Sequence, residues 1–166
     1  IRYFRKVIKI RPYCALSNYN LANLLNSTGQ QEAAISSYKQ AIRYKKNYAD
    51  AHYILGNLLK DLDNLEDAEL SIRKAIELNP RDSSAHTKLG GIFLKLGKFN
   101  DAELSIRKAI SFNPDNADAH YILGNIFKDQ CNLEEAEIFT RKAIKLNPNF
   151  YKSYLTLGII LKDQGK

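Results

Sequence analysis

The 166-residue sequence has no tryptophan, no methionine and only two cysteines. None of its apolar runs approaches the roughly 20 residues that a membrane-crossing helix needs. Cys14 and Cys131 lie far apart, and neither has a Cys or His at ligand spacing. That excludes a disulfide framework and a cysteine-based metal site, and it fits a reducing compartment, so the cytoplasm is the expected location. The opening IRYFRKVIKI alternates basic and apolar residues and offers no small-residue cleavage site, so it does not read as a secretory signal. The chain starts without Met and reads as a fragment. No Gly-rich phosphate loop, nucleophile–base pair or converging carboxylates are visible, so no enzyme, catalytic residue, cofactor or metal is expected.

Enough is present to fold. Hydrophobic residues make up 45% of the chain and charges of both signs are mixed through it, which excludes a disordered polyelectrolyte. The net charge of +7 is unevenly placed. Residues 1–48 hold nine Lys/Arg against one Glu, while the remaining residues hold sixteen against seventeen acids.

The nonapeptide ADAHYILGN occurs at Ala49–Asn57 and again, unchanged, at Ala117–Asn125. Half of that separation is the underlying period, which divides the chain into units 15–48, 49–82, 83–116 and 117–150. The second and fourth units agree at 23 of 34 positions, and DAELSIRKAI recurs at Asp67–Ile76 and Asp101–Ile110. Each unit reads as two helices. In 117–150, Ala119, Ile122, Leu123, Ile126 and Phe127 follow helical spacing, then Ala136, Phe139, Ala143, Ile144 and Leu146 do so again. Short turns separate the pair at Gly29-Gln30, Asp63-Asn64, Gly97-Lys98 and Cys131-Asn132. Gly or Asp tolerates a left-handed backbone at such a turn, whereas Cys131 is expected to be strained there. Pro12, Pro80, Pro114 and Pro148 end the second helix, and Lys46 takes that place in the first unit.

With these residues in place, the chain resembles the tetratricopeptide repeat family along its whole length. The Leu-Gly pairs Leu55-Gly56, Leu89-Gly90, Leu123-Gly124 and Leu157-Gly158 match its signature, as do Ala34, Ala68, Ala102 and Ala136, and Ala41, Ala75, Ala109 and Ala143. The family's leading Trp is replaced by Asn18, His52, His86, His120 and Tyr154, and its second aromatic by Phe4, Tyr38, Ile72, Ile106 and Thr140, the last a weaker core filler. The resemblance implies an all-α, right-handed α-solenoid: one array over 1–166, with four full repeats, a second helix of a preceding repeat at 1–14 and a first helix of a following one at 151–166. That makes ten helices. Ile159, Ile160 and Leu161 in a row suit a solvated cap poorly, so either a longer array or end-to-end self-association is expected.

The three histidines recur once per repeat, too far apart for one ion, and read as packing residues whose polar edge meets backbone or water. Arg73, Arg107 and Arg141 follow Glu69, Glu103 and Glu137 by four residues and read as a solvated, paired face rather than a nucleic-acid surface. In the first third Arg2, Arg5, Lys6, Lys9, Arg11, Lys39, Arg43, Lys45 and Lys46 lack nearby acids; they read as attracting an acidic partner or keeping an array end soluble, and nucleic acid is disfavoured.

In the family, first helices line a concave groove in which peptides lie. By position that groove presents Tyr19, Tyr53, Thr87, Tyr121 and Leu155, beside Asn23, Asn57, Gly91, Asn125 and Ile159, with Lys60 and Lys128 a turn further on. Asparagine amides suit an extended backbone, and tyrosine adds a flat apolar face. The candidate peptide-binding residues are therefore Tyr19, Asn23, Tyr53, Asn57, Lys60, Tyr121, Asn125 and Lys128, although the same residues also suit bonding between neighbouring repeats. The carboxylate clamp of chaperone adaptors is absent, since only Asn23 and Lys88 fit it. The wording AHYILGN resembles the repeat arm of O-linked N-acetylglucosamine transferases, but the asparagine row of that arm survives only at Asn20. The expected function is a protein-interaction scaffold binding an extended peptide; a substrate-recruiting arm of a larger transferase and a self-assembly module are the alternatives.

Overall fold

The computed structural model describes Tyr3 and residues Tyr13–Lys166. The expected helix at 1–14, with Phe4 and Pro12, lies almost wholly outside the described residues. Among them nine α-helices follow in order: α1 (Ala15–Ser27), α2 (Gln31–Tyr44), α3 (Ala49–Asp61), α4 (Leu65–Leu78), α5 (Ser83–Lys95), α6 (Phe99–Phe112), α7 (Ala117–Asp129), α8 (Leu133–Leu146) and α9 (Tyr151–Asp163). They form all-α, paired helix-turn-helix repeats on the expected period, consistent with a tetratricopeptide-like solenoid. The chain divides into two compact units, Ile1–Pro80 and Arg81–Lys166.

The first helix of each repeat ends in the same way. Gly29, Asp63, Gly97, Cys131 and Gly165 all take positive φ, with Asp63 at 61° and Cys131 at 60°. The N–H of the following residue reaches back to the carbonyl five residues earlier, as in Asn64 to Leu59 O (2.9 Å) and Asn132 to Phe127 O (2.8 Å). This is the Schellman closure, which satisfies carbonyls that the helix end leaves open. Cys131 holds the left-handed geometry without glycine's freedom, as its sequence position implied.

The second helices stop at an extended residue: φ −138° at Asn79, −142° at Asn113 and −135° at Asn147, each before proline. Lys45 takes φ −136° and ψ 88° although Lys46 follows it, so this corner keeps its shape without the proline. Asn64, Asp82, Asn116 and Asn132 cap the helices after them, their side-chain oxygens accepting from Asp67, Ala85, Ala119 and Glu135 N–H.

In the first unit α1 packs on α2, α2 on α3 and α3 on α4. In the second, α5 packs on α6, α6 on α7, α7 on α8 and α8 on α9, and the first helices α5, α7 and α9 are also neighbours. Small residues make the close approaches. A Cβ built on Gly56 would lie 2.7 Å from the Ile72 side chain, and one on Gly90 would lie 2.5 Å from Ile106. At Gly124 the neighbour is Thr140, whose fully buried Oγ1 has no hydrogen-bond partner. Tyr38, Leu25 and Ile72 fill the seams of the first unit, and Ile92, Ile106, Leu123 and Ile126 those of the second, each burial stabilising by about 1.5–3 kcal/mol.

Candidate protein-interaction surface

Helical periodicity puts Tyr53, Asn57 and Lys60 on one face of α3, and Tyr121, Asn125 and Lys128 on the matching face of α7. Tyr19 and Asn23 share a face of α1. All eight residues are half-buried. The cations are not bare charges, because Lys60 meets Asp61 and Lys128 meets Asp129, both at 3.2 Å.

In the first unit Tyr19 lies between two other tyrosines, 6.0 Å edge-on from Tyr38 and 4.9 Å from Tyr48. Asn23 Oδ1 accepts from the Tyr38 hydroxyl at 2.6 Å. Burial, with a smaller contribution from Tyr19, pushes the Tyr38 hydroxyl up to about 12, so it remains a donor. Asn57 has no such neighbour in its own unit: Ile72 stands where Tyr38 does, and the buried Asn57 Oδ1 has no hydrogen-bond partner.

In the second unit Tyr121 packs on Phe150 at 4.9 Å, and Asn125 Oδ1 accepts from Thr156 Oγ1 at 3.4 Å. Where Tyr gives way to Thr87, the contact becomes polar. Asn116 Nδ2 donates to Ser83 Oγ (2.9 Å) and Thr87 Oγ1 (3.0 Å), while Ser83 Oγ donates to Ala109 O (2.8 Å). Tyr48, Phe150 and Asn116 escaped sequence reasoning. Their signal was the residue just before each first helix, which is aromatic beside Tyr19 and Tyr121 and an amide beside Thr87.

The histidines sit as packing residues. The His52 and His120 Nε2 atoms meet the carbonyls of Lys46 (3.0 Å) and Pro114 (2.8 Å). A carbonyl only accepts, so Nε2 carries the proton. Burial holds His52 below the usual imidazole range, opposed by that backbone bond. His86 packs 5.4 Å from Phe112. The expected ion pairs form on the second helices: Arg73–Glu69 at 2.8 Å, Arg107–Glu103 at 2.7 Å and Arg141–Glu137 at 2.8 Å. Glu137 also receives Lys166 at 2.9 Å, and these two donors hold its carboxyl at about 2. Among the described residues no group of three His, Cys, Asp or Glu could hold a metal, and no helix is long and apolar enough to cross a membrane.

A family model described as TPR repeat matches residues 22–63 and 90–130, and one described as tetratricopeptide repeat matches 49–82 and 117–150. The chain belongs to the tetratricopeptide repeat family. Domains of this family are typically non-catalytic scaffolds for protein–protein interaction, and that general role is the one this tetratricopeptide chain carries. No curated protein matches its sequence. Among solved structures it is similar to MamA residues 41-end from Desulfovibrio magneticus RS-1 (TM-score 0.81, 24% identity, covering 91% of this chain and 85% of that one). It is similar to YrrB, described as a TPR protein with an unusual peptide-binding site (TM-score 0.77, 22%, 98% and 84%), and to PilF of Pseudomonas aeruginosa (0.80, 19%, 90% and 68%). At these identities the likeness is one of fold.

Proposed function

We propose that the face formed by Tyr53, Asn57 and Lys60, and separately its counterpart formed by Tyr121, Asn125 and Lys128, each bind an extended peptide segment of a partner protein. The observation that carries this reading is the unpartnered Asn57 Oδ1 beside a half-buried Tyr53. Turning that amide onto a peptide N–H gives the oxygen the bond it lacks, and an amide recognises a backbone whatever its sequence. Peptides selected from a random library on the parent chain provide the probe. Asn57→Ala combined with Asn125→Ala is expected to weaken them about tenfold, as each face loses the hydrogen bonds of its own amide, with helical content unchanged. Unchanged affinity rules out this face.

A second reading, self-association, is favoured by the exposure of Tyr151, Tyr154, Leu155 and Ile159 along α9. Light scattering against concentration tests it, and a constant monomer mass ends it. We also propose the cytoplasm as the compartment, since the sequence holds only two cysteines and they lie far apart in it.

A further inference from the structure

The corner between α2 and α3 shares its backbone with the later corners but not its chemistry. Lys45 has φ −136° and ψ 88°, against −138° and 83° at Asn79. The later corners read Leu78-Asn79-Pro80, Phe112-Asn113-Pro114 and Leu146-Asn147-Pro148; this one reads Tyr44-Lys45-Lys46, between Arg43 and Tyr48. Asn-Pro serves the same fold, so the turn does not require the cations, and crowding like charges opposes folding.

Arg43, Lys45 and Lys46 are exposed, as is Lys39 one turn earlier. Among the described residues none of the four enters an ion pair. The glutamate that serves Arg73, Arg107 and Arg141 from four residues upstream is replaced, for Lys39, by Ile35. Aromatic rings line the same corner. Tyr13, 77% exposed, meets Tyr44 edge-on at 5.5 Å, and the Lys45 ammonium sits 4.5 Å over Tyr48.

We propose that this corner is a docking site for an acidic segment of a partner protein, with glutamates or aspartates interspersed with apolar or aromatic side chains. Carboxylates would meet Arg43, Lys45 and Lys46, while an apolar side chain would pack beside Tyr13 and Tyr44. A single-stranded nucleic acid is also anionic, but it needs free ring faces on which to stack bases. Tyr48 is already engaged by Lys45 and by Tyr19, and Tyr44 by Tyr13, which leaves the exposed Tyr13 ring for one base and no run of faces for successive bases. The proposal stands apart from the first-helix face.

The test uses the whole chain and a fluorescent peptide of about a dozen residues that repeats Glu-Glu-Phe, a length that spans such a corner. Its controls are a Gln-Gln-Phe version and an oligo-dT of similar length. Lys45→Asn with Lys46→Pro restores the wording of the later corners, so the variant keeps its fold, and a thermal melt verifies this. The parent is expected to bind the acidic peptide about tenfold more tightly than the variant does, and the gap should close at about 1 M salt. The glutamine peptide is expected to bind the parent about tenfold more weakly than the acidic peptide does, with no further loss in the variant. Equal affinity of parent and variant, equal binding of the glutamine peptide, failure of the parent to bind the acidic peptide, or tighter binding of oligo-dT would each overturn the proposal.

Discussion

Repeats 49–82 and 117–150 open with the same nine residues and fold into the same pair of helices, yet those residues do not have the same surroundings. Gly56 faces Ile72, while Gly124 faces Thr140, whose hydroxyl is buried and unpartnered. The first turn closes on Asp63 and the second on Cys131, at nearly the same positive φ. Asn57 Oδ1 lacks a partner that Asn125 finds in Thr156. Identical wording fixes the helix and its close-packing glycine; the facing helix decides how much each costs and what each asparagine does.

The comparison breaks most severely at the glycines. Gly56→Leu or Gly124→Leu is expected to destabilise the chain by about 3 kcal/mol or more, because backbone atoms of the facing helix lie 3.2 Å from the Cβ position in both. Urea denaturation measures it, and a neutral result would mean the two helices can part freely. Exchanging the facing residues comes next. Thr140→Ile removes a buried hydroxyl and adds apolar volume, for a gain of about 1–2 kcal/mol, whereas Ile72→Thr is expected to lose about 2 kcal/mol.

How far these contrasts were legible beforehand depends on whether the cause was local. Repeat boundaries, turns, the small-residue columns and the i,i+4 pairs depend on neighbours in sequence, and the letters carried them. Cys131 was visible as a misfit because the other repeats show what its place requires. The partners of the asparagines were not legible, since they lie on other helices. Tyr38 read as a core filler, yet its hydroxyl occupies Asn23; Tyr19 and Tyr121 read as groove residues, yet each leans on an aromatic at the last position of its own repeat.

The turns offer a finer contrast. Cys131→Gly is expected to stabilise by about 1 kcal/mol by relieving the left-handed strain. Asp63→Gly should change little, because aspartate visits that region more readily. Equal gains in thermal melts would mean that side-chain identity is irrelevant there. The smallest effect is electrostatic. Glu137 shares with Glu69 the arginine four residues on, but it also has Lys166. Its folded-state value, about 2, lies below the ordinary 4.5, so its contribution is complete above about pH 4.5 and fades as pH falls toward 2. The stability difference between parent and Glu137→Gln should close over that window, and Lys166→Ala should raise the carboxyl's NMR titration midpoint.

The Asn116 amide has a wider consequence. One side chain caps α7, holds two hydroxyls of α5 and, through Ser83, reaches the last turn of α6. Loosening any of these helices from the other two strips polar atoms of their bonds, so hydrogen exchange should report α5, α6 and α7 opening as a single cooperative block. The joints at Tyr19–Tyr48 and Tyr121–Phe150 are ring contacts with no fixed direction, and they allow small slippage without such a penalty. Part of the chain would thus behave as a rigid splint in which flexing is borne by its aromatic joints.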